Sequence, residues 1–157
     1  MNNLVSLYSR FSMLARYLQS PFLLFIRLYW GWQFAVTGWG KLQHLDKITS
    51  FFASLGIPFP AVNAPFVASL EFIGGLLLIF GLGTRVIAFL LAGNMLVAYW
   101  TADREALLGF FSSPDKFYAA DPFTFLLASV IALVFGAGLF SLDALLARRF
   151  AARVETQ

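Results

Sequence analysis

The chain contains no cysteine, a single histidine and few charges. Without thiols it can form no disulfide, thiolate metal site or thiol relay, and one histidine cannot by itself make a zinc cluster or a haem pair. Charged residues make up 12% of the 157 positions and hydrophobic ones 60%, more apolar surface than a soluble domain of this length can hide. The net charge of +3 does not point to nucleic acid, because the arginines are scattered at the ends of apolar runs rather than gathered on a polar face. The lipid bilayer is the expected partner. Residues 1–20 are too polar to span and no small-residue cleavage site follows them, so a removable signal peptide is not expected. No repeat or low-complexity segment is evident.

What is present begins with Phe22–His44, a membrane-length apolar run that carries Arg27, Gln33, Lys41 and His44. At about 1.5 Å rise per residue, a hydrocarbon core of roughly 30 Å needs about 20 mostly apolar residues, which residues 21–42 supply. Arg27, Gly31, Phe34, Gly38 and Lys41 fall on one helical face. That face is expected to meet other helices, since small residues allow close approach and a lipid-facing charge is expensive. Further spans are expected at 64–82, 84–102 and 122–140, giving an all-α transmembrane four-helix bundle in a single domain. Pro65 fits the first turn of the second span, GLGT makes a short turn before the third with Thr84 as a cap, and Asp121 before Pro122 reads as the cap of the fourth.

The spans are flanked by amphipathic stretches. Leu4, Leu7, Tyr8, Phe11, Leu14, Ala15 and Leu18 line one face of 3–19, with Arg10 and Arg16 off its centre, as in a surface-lying helix. Ile48, Phe51, Phe52 and Leu55 make a similar stripe in 45–55, which GIPFP then breaks. The tail 143–157 is basic. Four spans place both termini on one side, with Arg10, Arg16, Arg85, Arg148, Arg149 and Arg153, and the positive-inside rule makes that side the cytoplasm of a bacterial inner membrane. The glycine-bearing faces would also permit a homo-oligomer.

Glu71 lies well inside the second expected span, where an exposed carboxylate needs a partner or a proton. Lys41 leaves the first span at the same level, and Gln33, Thr37 and Asn94 fall near the middle or outer half of their helices. Two readings stand: a polar cavity that binds a polar or quinone-like molecule or passes a proton, or an internal ion pair that fixes helix register. Secondary candidates are Arg27, whose stem can snorkel, His44 at the interface, and Arg85, most simply a topological anchor. Trp30, Trp32, Trp39, Phe51 and Phe52 read as packing and belt residues before a quinone box. No metal site is expected.

The endings GWGKL, GIPFP, EFIGGLLLIFGLGTR and NMLVA, in this order between Leu24 and Asp143, resemble the DoxX family of small bacterial four-helix membrane proteins. The resemblance matches Lys41 to the lysine closing the first helix, Glu71 to the acidic residue of the second, Gly75 to its glycine and Arg85 to the basic residue opening the third. It implies a link to membrane sulfur oxidation passing electrons to quinone, or to oxidative-stress complexes with a superoxide dismutase and a sulfurtransferase. The expected function is therefore a membrane subunit of a redox or stress-response system, binding a quinone or small anion at Lys41 and Glu71, with other membrane or redox proteins as partners. Any enzymatic role would be as such a subunit of a quinone-linked oxidoreductase. The alternatives are a small-solute carrier or permeability factor and a non-enzymatic scaffold.

Overall fold

A computed structural model describes the backbone of residues 2–154 and the side chains of 4–151. The helices are α1 (Asn2–Gln43), α2 (Leu45–Ser54), α3 (Pro60–Phe80), α4 (Thr84–Thr101), α5 (Arg104–Leu108), α6 (Pro114–Ala119), α7 (Pro122–Phe135) and α8 (Leu142–Val154), with no strand among the described residues. The all-α class expected from the sequence holds. Two helices, α3 and α4, are long and apolar enough to cross a membrane, and α7 is apolar but shorter. The stretch 21–42 within α1 falls outside that group, because Arg27, Gln33 and the indole and glycine positions lower its hydropathy.

α1 packs against α3 and α7, and α4 against the same two, so the four form a ring; α2 leans on α3, while α5 and α6 bridge α4 to α7. The α1–α3 seam depends on missing side chains. A β-carbon on Gly75 would lie 2.5 Å from both the Gly31 carbonyl oxygen and the Ala35 amide nitrogen, and one on Gly38 would collide with the backbone of Phe72. These glycines, which suggested a surface for a second copy, are consumed inside the chain, where van der Waals contact between backbones holds the pair. Phe34, Leu78, Ala88, Leu91, Met95 and Ala132 form the apolar core between the four helices.

The ring has two ends. At one, here the closed end, α3 turns into α4. Gly81 adopts a left-handed conformation (φ 65°), the Gly81 amide donates to the Leu78 carbonyl and the Leu82 amide to that of Leu77. The cap of α4 is not Thr84, which is already helical and buried. The Asp143 carboxylate takes that part, accepting from the amides of Gly83 (2.7 Å) and Thr84 (2.9 Å), so a residue sixty positions away satisfies the orphan donors of this helix. Asp121 caps nothing either, because its backbone is itself helical and its side chain makes no capping bond.

Other boundaries follow local chemistry. The expected surface helix 3–19 and the expected span 21–42 are one continuous helix through Pro21. Contacts on both sides of that proline hold the direction: the Leu139 amide donates to Ser20 Oγ, and Leu23 packs by Gly138. The N-terminal half of α1 consequently runs past the ring at the closed end, with Leu4, Leu7, Phe11 and Leu14 exposed. α3 starts at Pro60, so Pro65 sits inside the helix rather than in its first turn. α7 stops at Phe135, where Gly136 has φ 76°. Residues 155–157 of the expected basic tail and the side chain of Arg153 lie outside the described residues.

Candidate functional site

At the open end, three helices deliver one polar cluster. The last turn of α1 presents Lys41, whose Nζ donates to Glu71 Oε1 at 2.6 Å and Oε2 at 2.7 Å. From α4, Asn94 Nδ2 donates to Glu71 Oε1 at 3.0 Å. Glu71 itself is 2% exposed, while the Lys41 side chain is 31% exposed. The carboxylate is thus removed from water and compensated by three charge-assisted donations, the condition under which a buried ion pair is tolerated. Gly74 beside Glu71 lets Leu91 of α4 pack at contact distance, which brings Asn94 within reach.

The cluster forms part of the wall of a cleft of about 960 Å³ that opens between α2, α3, α4 and the α6–α7 junction. Gln33 and Thr37 lie on the same wall, and the Thr37 hydroxyl donates back to the Gln33 carbonyl at 2.9 Å. The structure therefore brings Lys41, Glu71, Gln33, Thr37 and Asn94 to one cleft. The floor is Phe34, Met95 and Phe125; Phe34 and Met95 also belong to the apolar core. Trp30 meets Phe125 edge-on at 5.2 Å. The apolar stripe of α2, read from sequence as membrane-facing, also lines the cleft through Ile48, Phe51, Phe52 and Leu55.

The cleft is also lined by residues that sequence reasoning did not place at the site, notably Asp103, Tyr118, Asp121 and Thr124. They stand in and after the polar 103–121 segment, which reads in sequence as a loop with room for one surface turn around residues 107–111. The signal available was Tyr99 at the end of α4. It is fully buried, stacks on Phe117 at 4.9 Å and donates to the Phe117 carbonyl at 2.8 Å, folding this segment back over the helices. On the far surface of the same segment, Lys116 meets Glu105 at 2.6 Å, which lowers the Glu105 carboxyl from its ordinary range through the hydrogen bond and the charge, and raises the Lys116 ammonium for the same reasons.

The secondary candidates lie elsewhere. Arg27 is buried at the closed end, donating to the carbonyls of Phe140 (2.5 Å), Leu78 (3.4 Å) and Ile79 (3.5 Å). His44 is exposed in the turn between α1 and α2, its Nδ1 3.0 Å from the Gly40 carbonyl. Arg85 is exposed beside Gly136. Among the described residues no three His, Cys, Asp or Glu side chains converge as metal ligands.

The model of the DoxX family matches residues 22–104, a stretch that includes Lys41, Glu71, Asn94 and Asp103 but not Asp121 or α7. A protein of Bacillus subtilis (strain 168) named "Putative oxidoreductase CatD" is 33% identical over 117 residues, which cover 65% of this chain and 86% of that protein. No solved structure matches the chain.

Proposed function

The chain belongs to the DoxX family of membrane proteins, and from that premise we propose that it is the membrane subunit of a redox-linked system in a bacterial inner membrane, receiving a quinone or a small anion in the open cleft. The observation that carries this reading is the Lys41–Glu71–Asn94 cluster standing in the wall of a cleft large enough for a ring-sized molecule. An ion pair that served only to fix helix register would need no cavity beside it. The name of the Bacillus relative supports the redox part.

The donor set fits a quinone. The ammonium of Lys41 and the amides of Asn94 and Gln33 can hydrogen-bond a carbonyl oxygen, and the half-buried Trp30 and Phe125 offer faces and edges to a ring. When bound, a quinone would supply two-electron, two-proton chemistry; the residues of this chain would bind and orient it, with Glu71 held in place by Lys41 and Asn94. Partner proteins with redox centres would exchange the electrons. In the orientation we favour, the open end faces outward. α8 and the N-terminal half of α1 both leave at the closed end, where Arg10, Arg16, Arg85, Arg148 and Arg149 would face the cytoplasm.

The test is to purify the protein in nanodiscs and identify what accompanies it by native mass spectrometry with quinone extraction, comparing wild type with Glu71→Gln. A quinone bound to the wild type and lost in the variant is the expected result. Absence of quinone from both, together with solute flux in liposomes holding this protein alone, would replace the redox reading with that of a carrier.

A further inference from the structure

The charges facing the cleft decide what it can hold. Among the described residues the cleft is lined by one ammonium, Lys41, and three carboxylates, Glu71, Asp103 and Asp121. Lys41 is already committed to Glu71, and neither Asp103 nor Asp121 has a salt-bridge partner among the described residues. An anion in the cleft therefore shares it with two carboxylates that have no ion-pair partner among the described residues. Pairing with that cation would take Lys41 from Glu71 and leave a buried carboxylate without its counter-charge.

The remaining hydrogen-bonding capacity is that of neutral chemistry. Two protons of the Lys41 ammonium are directed at Glu71, which leaves one donor. Asn94 uses an amide proton on Glu71 and keeps its carbonyl oxygen, and the Gln33 side chain makes no hydrogen bond among the described residues. Donors and acceptors thus remain side by side, as a hydroxyl or carbonyl requires. Below them Trp30 and Phe125 make an aromatic floor, and a small inorganic ion would leave most of the 960 Å³ in contact with apolar walls.

We infer that the cleft selects a ring-bearing amphiphile with a neutral hydroxyl or carbonyl end over its anionic counterpart, which Asp103 and Asp121 disfavour. This rests on the proposed reading of the cleft as a ligand site and narrows its occupant. The test uses the full chain in phosphatidylcholine nanodiscs at neutral pH, with two probes that share one ring system: naphthalene-2-methanol and naphthalene-2-carboxylate. Binding is read by calorimetry after subtraction of empty nanodiscs.

The alcohol should bind about tenfold or more tightly than the carboxylate, and the ratio should shrink in the Asp103→Asn, Asp121→Asn double variant. A carboxylate that binds as tightly as the alcohol overturns the inference, as does a ratio unmoved by the double variant. Failure of both probes to bind overturns both this inference and the ligand-site reading. Selective binding of the alcohol by protein that carries no quinone would leave the inference standing and remove the quinone.

Discussion

Arg27 and Glu71 are both buried charges, 1% and 2% exposed, at opposite ends of the α1–α3 pair, yet they are held in different ways. Arg27 is solvated by backbone. Its guanidinium fills the space between the last carbonyls of α3 and the Phe140 carbonyl, at the negative end of the α3 dipole, with the Asp143 carboxylate close behind on the α4 amides. Glu71 is solvated by side chains, Lys41 and Asn94, beside a cleft. Carbonyls fixed by a helix cannot change partners without unravelling it, so the arginine is part of the fold. Side chains at a cleft wall can turn toward a ligand, so the glutamate is where chemistry can be sought.

The largest effect should come from removing the backbone-solvated charge. Arg27→Ala would leave a void and strand buried carbonyls, costing about 3 kcal/mol or more in unfolding measured by denaturant titration in micelles. Arg27→Lys should recover only part of it, since a point charge cannot fork between carbonyls on two segments. Equal stability of all three proteins would erase the distinction between the two ends.

At the open end the same experiment has a different form. Lys41→Met should cost on the order of 3 kcal/mol by leaving Glu71 uncompensated, and adding Glu71→Leu should return most of that while abolishing ligand binding. Stability restored with binding lost is the outcome that separates this end from the other. If the double variant stays as unstable as the single one, the pair is structural after all.

A smaller loss, about 1–2 kcal/mol, is expected for Asp143→Ala, with faster hydrogen exchange at the amides of Gly83 and Thr84 and no change at Glu71. The least change belongs to the solvent-exposed pair Lys116–Glu105, which matches the buried pair in its 2.6 Å distance but not in burial. Because Glu105 is lowered on folding, its contribution is present above the unfolded carboxylate pKa and fades as pH falls through the folded value. Lys116 is raised, so its contribution is present below the unfolded ammonium pKa and fades as pH rises through the folded value. Protection from hydrogen exchange across α5 and α6, taken relative to the intrinsic exchange rate at each pH, should therefore be greatest between those limits, with only a weak dependence.

Much of this was open to a reader of the sequence. Lys41 and Glu71 stood out because ionisable groups in apolar runs are rare, and the spacing of Gly31 and Gly38 showed which face of α1 would be approached. The helix α2 was legible as an amphipathic element, but the identity of what its stripe would face was not, since lipid and a cleft wall demand the same residues. The caps at Thr84 and Asp121 looked satisfactory in local sequence. Asp143 took the first by folding back across the closed end, and the helical backbone of Asp121 removed the second.

By itself the sequence determined that the chain is helical and too apolar for water, because composition and the 3.6-residue period act through local geometry and do not depend on the rest of the chain. Only the tertiary structure decided that Lys41, Glu71 and Asn94 meet, that Asp103 and Asp121 line the same cleft, and that Arg27 closes the other end. Each of these joins residues from separate helices, and the distance between them is set by how closely glycine-lined backbones pack, which no local pattern specifies.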